Sequence, residues 1–371
     1  MHRSIRTILP TIIALTLIAC LAVPAQAQSS GYTFTILMDS AQGLTADRCA
    51  AINNNGQVAF TVTDENFDQF IMRAEPDGTL TTVADTTERL SFVGANPSIN
   101  DQGDISFAAR LVKGGEVILV TRGKSLKTVA KTGNSEFNFF GFNTSLNNQG
   151  LVAFSAELDE EFDFDEGTFV GDRRGNITTI YLASTSQFTG SDSRRSINDA
   201  GQIAFEESLD TTFNNGIFLF NGSSFVTIVD QTSPLVDFAT KPQVNNAGVV
   251  VFQAFLDSNE QAIITGSGGA LTVIADTLGP FGDFSSFGGP SINDSGEVAF
   301  NAALDGTFDY GIYTGPDPLT DSVIDVGDPL GGSTVVGTVI CSEGLNNDGQ
   351  IAFVAFLEDG RTLIVRADPI G

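Results

Sequence analysis

The chain is poor in the side chains that carry most enzymatic proton transfer. It has one histidine, His2, no tryptophan, three cysteines, and 18 Lys and Arg against 45 Asp and Glu in 371 residues. A Ser-His-Asp or Cys-His triad needs an imidazole, and zinc sites usually need His or several thiolates, so these classes fall away. What remains is chemistry built on carboxylates alone: acid and base pairs, or oxygen ligands for a hard cation. Cations are too few and too scattered, never more than two in a row, to grip a phosphate backbone, so nucleic acid is not an expected partner.

Long apolar runs are also scarce. One stretch, Ile8 to Val23, follows Arg3 and Arg6 and ends at Pro24-Ala25-Gln26-Ala27. It is short, Pro10 interrupts it, and a small-x-small site follows, which is the pattern of a secretory leader and not of a membrane span. The expectation is cleavage after Ala27, with residues 1–27 as leader and 28–371 as one exported domain, periplasmic or extracellular, with no transmembrane segment. Leu17-Ile18-Ala19-Cys20 looks like a lipobox and keeps open an alternative, a lipoprotein anchored at Cys20. Loss of Arg3 and Arg6 leaves 16 cationic residues against 45 acidic ones and a formal charge of −29. Such a surface suits solubility or cation binding.

Repetition dominates the rest. Seven segments match Asn-x-x-Gly-x-x-small-Phe, with the Asn and Gly at Asn53 and Gly56, Asn100 and Gly103, Asn147 and Gly150, Asn198 and Gly201, Asn245 and Gly248, Asn293 and Gly296, and Asn346 and Gly349. Successive copies are 47 to 53 residues apart. Asn at the first and Gly at the fourth position fit a type I turn, so these residues are assigned to turn chemistry. Alternating, β-branched segments flank each turn and no helical period is present. Four strands in about 50 residues is the arithmetic of a propeller blade. The expected fold is therefore all-β, a seven-bladed β-propeller of four-stranded antiparallel blades.

The ends support closure. The last copy stops after its third strand, Arg361 to Arg366, whereas Tyr32 to Asp39 precedes the first copy and looks like a fourth strand. The N-terminal strand is expected to complete the last blade. Cys49 and Cys341 lie just ahead of Asn53 and Asn346 in the first and seventh copies, which only a closed ring makes neighbours. A Cys49–Cys341 disulfide is expected, with one difficulty: the offsets to the motif Asn differ by one residue, which on a strand reverses the side-chain direction.

On these motifs the chain resembles the secreted bacterial proteins built from tandem NxxGxxAF repeats, and more distantly TolB-type propeller blades. The resemblance covers nearly the whole mature chain and implies the propeller fold and export; it implies no activity. Many proteins of that group look as if they carry a C-terminal sorting anchor. This chain departs from them, ending at Asp368-Pro369-Ile370-Gly371 without an apolar tail.

In an alternating blade the connections between second and third strands share a face with those linking one blade to the next. The former are acidic in most copies, most densely at Asp159, Glu160, Glu161, Asp163, Asp165 and Glu166. Asp159, Glu161, Asp163 and Asp165 are candidate calcium ligands, calcium being the one cofactor considered. The interblade connections hold Phe137, Phe139, Phe140 and Phe142, and Phe281, Phe284 and Phe287. The leading expectation is an extracytoplasmic, monomeric, non-enzymatic binding scaffold that presents this acidic, Phe-rich loop face to a protein or glycan partner. Two alternatives stay open: a carboxylate-dependent hydrolase or lyase in the channel, and a structural module of the cell envelope.

Overall fold

The computed structural model describes residues 31–370 except 124, 134–135, 159–164, 191–193, 210–211, 213, 232–234, 239–240, 257–259 and 286–287. The expected leader and Cys20 lie outside the described residues. Among the described residues there is no α-helix, and no helix is long and apolar enough to cross a membrane.

Seven antiparallel sheets form the ring of a seven-bladed β-propeller. Blade 3 shows the plan, with strands Phe137–Leu146, Leu151–Leu158, Asp165–Asp172 and Ile177–Leu182 running outward from the axis. Blade 7 consists of Ser333–Val339, Ile351–Leu357 and Thr362–Pro369, and its outer strand is Tyr32–Asp39 from the opposite end of the chain. Tyr32 pairs with Pro369 and Asp39 with Leu363, antiparallel, with one bulge between Ile36 and Met38. The N-terminal strand thus completes the last blade and removes the open edge that Thr362–Pro369 would otherwise expose.

The inner strands are longer than the repeat suggests. In blade 6 both Phe281–Phe284 and Ser291–Ile292 pair with the second strand, Val298–Leu304. Phe137, Phe139, Phe140 and Phe142 all belong to the inner strand of blade 3. This corrects the reading of a Phe-rich loop face: Phe137, Phe140, Phe281 and Phe284 are buried, because these segments are strands, and a bulge between the two members of each pair brings both rings into one packed cluster. Phe287 lies outside the described residues.

The small-Phe pair of the motif explains how blades pack. The seven motif phenylalanines are at most 1 % exposed, and the seven small residues before them, Ser106 and Val251 included, are 0 % exposed. Ala59 shares an apolar cluster with Phe107 of the next blade, and the same holds for Ala153 with Phe205, Ala204 with Phe252, Val251 with Phe300, Ala299 with Phe353, and Ala352 with Phe60 across the closure. A small side chain on one blade makes room for the ring on the next. Each buried Phe contributes about 2–3 kcal/mol of transfer free energy, and enlarging its small neighbour would force strain of similar size.

The motif turn does a second job. Asn147 Oδ1 accepts from the N–H groups of Gln149 and Leu151 at 3.1 and 3.0 Å, which holds the turn. All seven motif glycines have φ between +71° and +89°, a conformation that costs glycine nothing. The amide Nδ2 is left over and reaches sideways. In every blade it donates to the main-chain carbonyl of the next blade's motif Asn, at 2.8 to 3.2 Å, and Asn346 returns to Asn53. Seven hydrogen bonds form a closed circle around the axis.

Candidate functional site

A second circle lies beside the first at the mouth of the channel. It is built by the residues that follow each motif Asn: Asn54, Asp101, Asn148, Asp199, Asn246, Asp294 and Asn347. Each backbone N–H donates to Oδ1 of the next member at 2.7 to 2.9 Å. Asn Nδ2 groups bridge the carboxylates: Asn148 donates to Asp101 and Asp199 Oδ2 at 2.9 and 3.0 Å, and Asn246 to Asp199 and Asp294 at 3.2 and 3.0 Å. A carboxylate only accepts and an amide donates twice, so alternation satisfies both. Inside this rim is a cavity of about 130 Å³ whose lining includes Ser145, Ser196, Gln243 and Glu343.

Glu343 belongs to a turn of blade 7 that crosses the channel. The Gly344 N–H donates to the Cys341 carbonyl at 2.9 Å, and Glu343 between them has φ 70°. A non-glycine residue held there is strained and is a common mark of a functional position. The Glu343 carbonyl accepts from Ile52 N–H of blade 1 at 2.8 Å, and its Oε1 accepts from Ser145 Oγ of blade 3 at 2.9 Å. Ser342 Oγ donates to the Lys241 carbonyl of blade 5 at 3.4 Å. One turn therefore touches blades on the far side of the ring.

The strongest contact of this turn is with Arg194 of blade 4. Its Nη2 lies 2.9 Å from Glu343 Oε1, and the guanidinium side chain is only 5 % exposed. This is a charge contact without hydrogen-bond alignment: Arg194 Nε and Nη2, and Glu343 Oε2, have no hydrogen-bond partner. Buried polar groups in native proteins are nearly always paired, so three unspent atoms in one place set this contact apart as a candidate site. Lys241 stands near them. Burial, and secondarily the Arg194 charge, pulls its pKa down to about 8.

Arg195 points the other way along the chain, into the joint between blades 3 and 4, where it is 1 % exposed. Its Nε donates to Thr168 Oγ1 at 2.6 Å, its Nη2 donates to Tyr181 Oη at 3.0 Å, and its guanidinium lies over the Phe205 ring. Glu207 Oε2 accepts from Tyr181 Oη and from Arg195, and burial raises the Tyr181 pKa. On the same strand Glu206 is pushed up to about 7, first by burial and then by the charges of Glu207 and Asp237.

Cys49 and Cys341 form a disulfide with Cα atoms 5.5 Å apart. The one-residue mismatch is absorbed by the Cys341–Gly344 turn, which takes up the extra residue of the seventh copy. Of the candidate calcium ligands, Asp159, Glu161 and Asp163 lie outside the described residues. Asp165 opens the third strand of blade 3, and its carboxylate accepts from Ser184 N–H at 2.9 Å and from the Ser184 hydroxyl, capping the turn Ala183–Thr185. Among the acidic connections, Asp64 Oδ1 likewise accepts from Asn66 and Asp68 N–H groups. Sequence reasoning missed Arg194, Lys241 and Glu343, since they fall in non-repeating segments just ahead of the motifs.

Solved structures with the same architecture include an oligogalacturonate lyase from Vibrio parahaemolyticus, 9 % identical, with 91 % of this chain and 93 % of that chain covered and a TM-score of 0.61. An oligogalacturonate lyase in complex with manganese is 10 % identical over 94 % and 96 % of the two chains, TM-score 0.60. A puromycin hydrolase mutant is 12 % identical over 88 % of this chain and 53 % of that one, TM-score 0.59, so the present chain spans about half of it. The expectation of a non-enzymatic scaffold is corrected by these neighbours, which are enzymes of the same propeller fold. That expectation leaned on the missing imidazole, whereas Lys, Glu and Tyr side chains also move protons. Manganese does not fit the residues seen here: among the described residues no three His, Cys, Asp or Glu side chains converge as metal ligands. None of the curated proteins matches the chain in sequence. Residues 52–362 match a family of unknown function, DUF7453, and the chain belongs to that family.

Proposed function

We propose that this protein is an exported propeller that binds a glycan in its channel and cleaves it by hydrolase or lyase chemistry at the Arg194, Lys241 and Glu343 cluster. The observation that carries this reading is the buried Arg194 guanidinium beside Glu343, with donor atoms and a carboxylate oxygen unspent. Side chains from several blades converging on a closed channel are what a catalytic pocket needs and a flat binding face does not. Lys241, with a pKa near 8, is suited to accept a proton close to neutral pH. Arg194 would stabilise negative charge that develops on the substrate. Glu343, held by Ser145 and Arg194, is the carboxylate of the site. The oligogalacturonate lyases of like fold support a glycan as substrate class, and the Cys49–Cys341 disulfide supports life in an oxidising, extracytoplasmic compartment.

The test is a screen of the purified mature protein against neutral and acidic oligosaccharides, reading new reducing ends and the ultraviolet absorbance of unsaturated sugar products. Cleavage of at least one substrate is expected, with a loss of roughly a hundredfold or more in Lys241→Met. Failure of the folded wild-type protein to cleave any of them would reject the reading.

A further inference from the structure

We propose that the groove between blades 2 and 3 is a subsite for an acidic glycan, in which Arg122 and Arg173 grip sugar carboxylates beside the channel mouth. The ligand class, a glycan, rests on the reading above; the site stands on its own residues.

Blade 2 is basic in an acidic ring. Residues 86–133 hold seven Lys and Arg against four Asp and Glu, in a chain of formal charge −27. At physiological salt the screening length is about 8 Å, so a ligand on this blade feels the local excess more than the distant acids.

At two other joints an arginine is spent on the fold. Arg73 Nη1 donates to the Gly103 carbonyl of blade 2 at 2.9 Å, and Arg366 Nη1 to the Gly56 carbonyl of blade 1 at 3.1 Å. Each is paired with a carboxylate two residues on, Glu75 or Asp368. Blade 2 inverts this arrangement. Ser106 pairs with Val120 as Ala59 does with Arg73 and Ala352 with Arg366. Val120 therefore stands at the arginine position and Arg122 at that of the carboxylate. Among the described residues the Arg122 guanidinium makes no hydrogen bond or ion pair, and neither does that of Arg173 on blade 3.

Both arginines line one groove of about 310 Å³, at the small end of the usual range for ligand sites, roughly 300–1,000 Å³. Gln102, Gln149 and Asp104 are among its other walls. Asp104 Oδ1 accepts from the Gly123 N–H at 3.3 Å, and two cations against this one carboxylate leave the groove positive. A guanidinium fork matches the two oxygens of a planar carboxylate, and side-chain amides match sugar hydroxyls. Asn100 and Asn148 line both this groove and the channel cavity. A sugar chain anchored by its carboxylates in the groove thus lies next to the channel mouth.

The experiment is calorimetric titration of the full mature protein with trigalacturonate, its methyl ester, neutral galactotriose and inorganic sulfate. Trigalacturonate is expected to bind, and the other three to bind about tenfold more weakly or worse. The double variant Arg122→Gln with Arg173→Gln should weaken trigalacturonate binding about tenfold, with an unchanged melting temperature because neither guanidinium bonds to the fold. Arg174→Gln, which removes one charge from the exposed neighbour of Arg173, should leave binding unchanged. No binding of trigalacturonate, equal binding of galactotriose, unaltered binding in the double variant, an equal loss in Arg174→Gln, or sulfate binding as tightly as trigalacturonate would each overturn the proposal. Binding that needs the arginine pair, with no cleavage of any glycan, defeats only the catalytic reading above. Cleavage whose KM is the same in the wild type and the double variant defeats only this one.

Discussion

The side-chain amide of Asn346 donates to the main-chain carbonyl of Asn53 at 3.0 Å across 293 residues of sequence. It is the last link of the seven-membered circle. Each link is buried, and each Nδ2 faces a main-chain carbonyl of the next blade. Asn147→Asp keeps the size of the side chain and its Oδ1 contacts but turns the Nδ2 donor toward Asn198 into an acceptor. The expected loss is about 1–3 kcal/mol, read as a lower denaturation midpoint at neutral pH. An unchanged midpoint would mean that the circle contributes nothing to closure.

The Cys49–Cys341 bond closes a loop of 292 residues. In the chain-entropy model a loop of this length stabilises the fold by on the order of 5 kcal/mol. Reduction, or the pair Cys49→Ala and Cys341→Ala, should therefore lower the melting temperature markedly. The ring should still form, since Tyr32–Asp39 and the Asn346 link remain. Identical melting curves with and without reductant, once thiol titration has confirmed reduction, would contradict this.

Glu206 should make stability depend on pH. Its pKa is raised to about 7 from an ordinary 4.5, so the folded state holds a proton that the unfolded state releases between these values. Stability from this group falls as pH rises from about 4.5 to 7 and stays reduced above that. Glu206→Gln removes the loss: it should stabilise the protein by up to about 3 kcal/mol at pH 8 and leave it nearly unchanged at pH 4. Urea titrations at the two pH values check it, and an equal effect at both would refute the assignment.

Much of the architecture could be read because each repeat carries its own turn. Asn293-Asp294-Ser295-Gly296 announces a hairpin, and seven such turns with a strand left over at one end imply a ring. The small-Phe pair was equally visible, but its meaning was not: the packing of Ala153 against Phe205 involves residues 52 positions apart, and no local pattern reports it. The inner strands run further than the pattern shows, because Gly288-Gly289-Pro290 interrupts the alternation between Phe281–Phe284 and Ser291–Ile292. The channel cluster was illegible for a deeper reason. Arg194, Lys241 and Glu343 come from three non-repeating segments, and only the closed ring places them together. The alternation of Asn and Asp after the motif Asn was in plain view and passed over, since a residue next to a turn is ordinarily solvated.

That alternation raises a question of parity. A strict two-state pattern closes on itself only around an even number of members, and this ring has seven. One like pair is unavoidable, and it occurs between Asn347 and Asn54, where both members are amides. The mismatch falls where the two ends of the repeat array meet, and it costs a bridging side-chain bond without bringing two carboxylates together. Excision of blade 3, with Asn148, would set Asp101 beside Asp199, whereas excision of blade 7 or blade 1 would leave a perfectly alternating six. The mouth of the channel thus carries a count of the blades: alternation survives the loss of a blade only at the two positions that flank the seam, and two carboxylates meet only when blade 3 or blade 5 is lost.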